Sequence, residues 1–95
     1  MSGYRIHRQV TEFGEHVRGW RMVLGLTAQQ VSERAGITRD TLRKIESGNP
    51  NVSFNSVTQV LRALGILDQL VDAADPLASD IGRLRAGRLT RKRAR

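Results

Sequence analysis

Residues 34–48 read RAGITRDTLRKIESG, a short polar helix bracketed by Gly36 and Gly48. Thr38 stands where an N-cap belongs, and Asp40 falls in the first turn, where the helix dipole favours an anion. Leu42 and Ile45 are its only large apolar residues, spaced i and i+3. A stripe that narrow leaves most of the circumference to Arg39, Asp40, Arg43 and Lys44. Gly48, Asn49 and Pro50 stop the helix. Such a segment either reads a polyanion or forms the wet face of a small bundle, and its own composition does not separate the two.

The flanking sequence supplies the frame. Upstream, LTAQQVSERAGI opens with Thr27 and Gln30 at the spacing of a capping box, turns Val31 and Ala35 inward and ends at Gly36. Gly36 takes a positive φ without Cβ strain, so two capped helices can meet at a steep angle across a very short turn. Earlier still, Val10, Phe13, Val17, Trp20 and Leu24 recur at steps of three or four and predict a helix closed by Gly25. Trp20 is thereby expected in the core, not stacked on a base.

Downstream, Ser53 caps a helix with Phe54, Val57, Val60, Leu61 and Leu64 on its apolar face. ILDQLVDAAD predicts a fifth, with Ile66, Leu67, Leu70 and Val71 inward, until Pro76. Five short helices and no strand pattern predict an all-α domain over residues 10–75, with a helix-turn-helix arrangement at 27–48. Residues 1–9, MSGYRIHRQ, show no clear period and are expected as an N-terminal arm, mobile or strand-like. Arg5 and Arg8 there either follow a nucleic-acid backbone or minor groove, or fray. Residues 76–95 are expected as a basic C-terminal tail in which Leu77, Ile81 and Leu84 keep a helical spacing.

The 95-residue chain carries a formal charge of +7, which favours a polyanionic partner, nucleic acid before membrane. Where that charge sits limits what it says about the opening helix. Residues 1–80 hold nine Arg or Lys against nine Asp or Glu; the excess is Arg83, Arg85, Arg88, Arg91, Lys92, Arg93 and Arg95. The absence of cysteine excludes disulfides and thiolate zinc sites. His7 and His16 have no partner at ligand spacing, so neither metal nor cofactor is expected. With no cysteine nucleophile, no histidine beside a plausible nucleophile and no glycine-rich phosphate loop, an enzyme is not expected either. No long apolar run or exported-type leader stands out, so a cytoplasmic protein without a membrane partner, nucleoid-associated when bound, is expected.

RMVLGLTAQQVSERAGITRDTLRKIESGNPNVSFNSVTQVLRALGI resembles the helix-turn-helix domain of Xre-type, phage-repressor-like transcription regulators, a resemblance that spans residues 13–67. It rests on Arg21, Gly25-Leu26-Thr27, Ala35-Gly36-Ile37, Leu42, Ile45-Glu46, Gly48 and the closing VLRALGI. The resemblance implies a five-helix bundle whose second motif helix enters the major groove of double-stranded DNA, usually from a two-fold homodimer. It makes Arg39, Asp40, Arg43 and Lys44 base readers, and Thr38, Thr41, Ser47 and Asn49 phosphate contacts or supports. Arg39 or Arg43 suits guanine O6 and N7; Asp40 either accepts from a cytosine amino group or serves only the helix dipole. Arg21 and Glu46 match a family pair that forms a largely buried ion pair between the first helix and the recognition helix.

One position departs from the pattern. The family usually places glutamine after the threonine of GLT, where it bonds DNA phosphate; here Ala28 cannot. The amides of that helix N-terminus remain, and Gln29 or Gln30 could substitute, although the cap needs Gln30. Val31 and Ser32 likewise stand for the more usual leucine and alanine. The implied function is a sequence-specific transcriptional regulator, most simply a repressor. The alternative is a HipB-like antitoxin that binds a HipA-like kinase toxin and represses its own operon, a looser resemblance resting on the tail. That tail would either grip DNA backbone through its seven cations or dock its apolar stripe on a protein.

Overall fold

A computed structural model describes residues 2–89. Its order is α1 (Ser2–Val23), α2 (Ala28–Ala35), α3 (Arg39–Glu46), α4 (Phe54–Ala63), α5 (Leu67–Ala73), a 3-10 turn (Pro76–Ala78) and α6 (Asp80–Leu84), with no strand among the described residues. The chain is thus all-α, and α1–α5 are the five helices of the bundle.

Local chemistry sets the element ends. At α2 the Gln30 amide donates to Thr27 Oγ1 (3.0 Å) and the Thr27 amide donates to Gln30 Oε1 (2.9 Å), a complete capping box. Gly36, with φ 69°, closes α2 in the left-handed region, and the Ile37 amide donates back to the Ser32 carbonyl. Thr38 Oγ1 then accepts from the Thr41 amide (3.0 Å), so α3 starts two residues after α2 ends its turn. From α4, Arg62 Nη2 donates to the Arg34 carbonyl (2.9 Å), which pins α4 to the C-terminal end of α2.

Val17, Val31, Ala35, Leu42, Ile45, Val60, Leu61 and Leu64 form the buried core, with Phe13, Leu26, Ile37, Val57, Ile66, Leu67 and Leu70 packed around it. Each fully buried aliphatic side chain is worth about 1.5–3 kcal/mol, so this small set carries the domain. A buried polar atom interrupts it: Ser32 Oγ on α2 has no hydrogen-bond partner among the described residues.

The approach of α1 to α3 depends on a residue that the apolar pattern passes over. A Cβ on Gly14 would lie 2.6 Å from the Ile45 carbonyl oxygen and 2.7 Å from that of Glu46. Only a residue without a side chain lets the α1 backbone rest on the last turn of α3.

Three expectations require correction. Residues 2–9 are not an arm but the first turns of α1, exposed along residues 3–9. Once Val10 to Val17 is anchored, helical hydrogen bonds propagate outward cheaply, and nothing before Val10 breaks them. Trp20 is 38% exposed, and Leu24 is exposed as well. The residue one turn beyond Val17 on the inner face is Arg21, whose ion pair fills the place an apolar side chain would take. Phe54, at the first position of α4, is 73% exposed, and Val71 points outward from α5. Beyond Pro76 the expected helical spacing falls on the 3-10 turn and α6: Ser79 caps α6, Arg83 pairs with Asp80, and Leu77, Ile81 and Leu84 are exposed. Arg91, Lys92, Arg93 and Arg95 of the basic run lie outside the described residues.

Candidate nucleic-acid interface

On α3, Leu42 and Ile45 face the core, and the residues between them are carried outward. Arg39, Arg43 and Ser47 follow one another at i, i+4 spacing and form one ridge; Asp40 and Lys44 form the next. The helix is held at both ends. At its start Thr38 caps it and also donates from Oγ1 to Thr41 Oγ1 (2.9 Å). At its end Arg21 Nε donates to Glu46 Oε2 (2.8 Å) and Arg21 Nη2 to Glu46 Oε1 (3.1 Å). Arg21 Nη1 reaches the Leu26 carbonyl in addition (3.3 Å), which ties the turn before α2 to the same point. The hydrogen bonds to Glu46 hold the Arg21 guanidinium above its ordinary value despite partial desolvation.

Asp40 is committed within its own helix. Arg43 Nη2 donates to Asp40 Oδ1 (2.8 Å), and Lys44 Nζ stands 3.4 Å from Asp40 Oδ2. The hydrogen bonds from Arg43, and then from Lys44, hold its carboxyl below the usual carboxylate range. A carboxylate so paired is less available to a base amino group than a free one.

The remaining sequence candidates divide. Ser47 Oγ donates to the Lys44 carbonyl (3.0 Å), and Asn49 Oδ1 accepts from the Asn51 amide (2.8 Å), while the Asn49 amino group has no acceptor among the described residues. Asn49 lies apart from the Arg39–Ser47 ridge, beside Val10, Phe13 and Val52. Gln29 is exposed on α2 and donates to Glu33 Oε2 (2.7 Å), while Gln30 is occupied by the cap.

An open groove of about 560 Å³ runs along the ridge. Arg39, Asp40, Arg43 and Ser47 line it from α3 and its cap, Ala28 from the start of α2, and Arg18 and Arg21 from α1. Arg18 is the member that sequence reading missed. The signal was available in its position one turn before Arg21, which places both on one face of α1. Among the described residues no His, Asp and Glu side chains gather into a metal-binding cluster, and no helix is long and apolar enough to cross a membrane.

Comparison with known proteins adds a family. A model of the helix-turn-helix domain matches residues 12–74, which takes in α2, α3 and everything that holds them. A protein of Methanothermobacter thermautotrophicus named as an HTH-type transcriptional regulator is 39% identical over 49 residues, covering 52% of this chain and 71% of that protein. No solved structure matches the chain significantly.

Proposed function

Because this chain belongs to the helix-turn-helix domain family, we propose that it is a transcriptional regulator that binds double-stranded DNA sequence-specifically, with α3 in the major groove. The observation that carries this reading is the make-up of α3. Eight residues bury only Leu42 and Ile45, yet the helix is fixed at both ends by Thr38 and by the Arg21–Glu46 pair. A rigid helix with a cationic outer ridge suits base edges, where a mobile one would lose affinity to ordering.

In this reading Arg39 and Arg43 are the direct base readers, with guanine O6 and N7 their natural partners. Lys44, Thr41 and Asn49 supply backbone contacts or support, and Asp40 chiefly positions Arg43. One eight-residue helix reads few base pairs, so a homodimer on a palindromic site is the economical arrangement, and a repressor that occludes a promoter is its simplest use. The relative named as an HTH-type transcriptional regulator is in keeping with that role. Titration onto the DNA upstream of its own coding sequence tests it. A clear preference over random duplex at moderate salt is expected; equal affinity for both would end the proposal.

The exposed Leu77, Ile81 and Leu84 favour a second reading, in which the segment after α5 docks on a toxin-type kinase. Affinity capture that recovers no kinase from the native host would remove it.

A further inference from the structure

We propose that Arg18 is a phosphate-binding residue of the DNA interface, gripping the backbone where Ala28 offers no side-chain donor. The proposal rests on the DNA-binding reading above and adds a residue to it.

Four arginines and two carboxylates line the groove. Arg21 is consumed by Glu46 and the Leu26 carbonyl, and Arg43 is tied to Asp40. Arg18 and Arg39 have neither a carboxylate nor any hydrogen-bond acceptor among the described residues. Two uncompensated guanidinium groups thus share one open cleft in a domain whose overall charge cancels. Guanidinium forks suit the acceptor pairs of phosphate oxygens and of guanine edges alike, so the cleft matches DNA in charge and shape, and the two arginines need not take the same part of it.

Position separates the two roles. Arg39 begins the outward ridge of α3 and travels with the base-reading helix. Arg18 sits across the groove on α1, outside that helix, and so faces the strand that borders the major groove rather than its floor. Ala28, a methyl group in the first turn of α2, lines the same groove, and the Ala28 and Gln29 amides have no backbone acceptor among the described residues. Those amides favour an anion but offer no long reach. Arg18 supplies that reach, and its aim is set by Arg21 one turn on, which locks this face of α1 to α3.

The test is a duplex-binding series over a range of salt concentrations for the full-length protein, Arg18→Ala, Ala28→Gln and the double variant, on the preferred duplex and on random duplex. Arg18 is exposed and unbonded, so its variant is expected to melt with the wild type. Arg18→Ala should weaken both duplexes by the same factor, about tenfold, and flatten the log–log salt slope by about 0.9. Ala28→Gln should restore part of the lost affinity in the double variant. Unchanged affinity and slope would overturn the proposal, as would a loss confined to the preferred duplex, which marks a base reader. A wild-type protein that prefers no duplex removes the DNA-regulator reading itself; one that discriminates normally while Arg18→Ala matches it removes only the role of Arg18.

Discussion

Arg21 and Glu46, 25 positions apart in the chain, meet in a two-pronged hydrogen-bonded pair whose side chains are only 13% and 11% exposed. The pair joins α1 to the last residue of α3 and so fixes the angle at which α3 is presented. Removing either partner strands a desolvated charge. Arg21→Ala and Glu46→Ala are each expected to cost about 3–5 kcal/mol in urea unfolding, whereas Arg21→Met with Glu46→Leu recovers most of that loss. Because the guanidinium value is raised, its contribution is complete below the ordinary arginine value and is lost only as pH rises through the folded one. The contribution of Arg21 to Tm should therefore stay level from neutral pH into the mildly alkaline range. A single substitution that costs under ~1 kcal/mol would show the pair to be a surface contact instead.

Gly14 is the second fixed point between the same two helices. Alanine there gains about 1 kcal/mol of helix propensity, but its Cβ meets two carbonyl oxygens at 2.6 and 2.7 Å. Both are backbone atoms and cannot swing aside. Gly14→Ala is expected to destabilise by about 1–3 kcal/mol net, lowering Tm by roughly 4–8 °C for each kcal/mol. An unchanged or raised Tm would mean that α1 shifts freely on α3.

Ser32 offers a gain. Its buried hydroxyl has no partner among the described residues, and burial of an unpaired hydroxyl costs about 1–3 kcal/mol. Ser32→Ala should raise stability by roughly 1 kcal/mol, since part of that cost returns as a small void. Calorimetry that finds the variant less stable would place a hydrogen-bonding partner at Ser32 Oγ.

Asp40 governs how much positive charge α3 presents. Its carboxyl is held low by Arg43 first and Lys44 second, so the attraction is present above the ordinary carboxylate value and disappears as pH falls through the lowered one. Melting curves of the wild type and Asp40→Asn should differ slightly at neutral pH and converge in acid. The larger effect is on DNA. With Arg43 and Lys44 released, Asp40→Asn should bind random duplex more tightly, discriminate less, and show a salt slope steeper by about 0.9 for each cation that reaches a phosphate. Unaltered discrimination would mean that Asp40 does not position Arg43.

The helix-turn-helix core was legible because each of its boundaries has a side-chain cause within reach along the chain: Thr27 with Gln30, Gly36, Thr38, Ser53. What escaped depends on contacts between distant segments. Periodicity placed Trp20 inward by spacing, but the inner face of α1 one turn past Val17 belongs to Arg21, because Glu46 waits there. Gly14 carries no apolar signal, and only the arrival of α3 gives it a purpose. Residues 2–9 show no stripe, and residues 3–9 are exposed, yet the segment is helical by continuation. At the interface, the residue types of α3 were readable in order. Their commitments were not: the pairing of Asp40 with Arg43 and the unpaired state of Arg18 exist only in the folded arrangement.

In the proposed function α3 reads base edges in the major groove, chiefly through Arg39 and Arg43. Guanine N7 methylation interference on the preferred duplex tests it most directly, because the methyl group occupies the acceptor that an arginine fork would use. The expected result is strong interference at a few guanines in each half-site, one of which becomes insensitive in Arg43→Ala while that variant loses about 1–3 kcal/mol of specific affinity. Interference confined to minor-groove adenine N3, or none at any guanine of a duplex the protein still prefers, would contradict it.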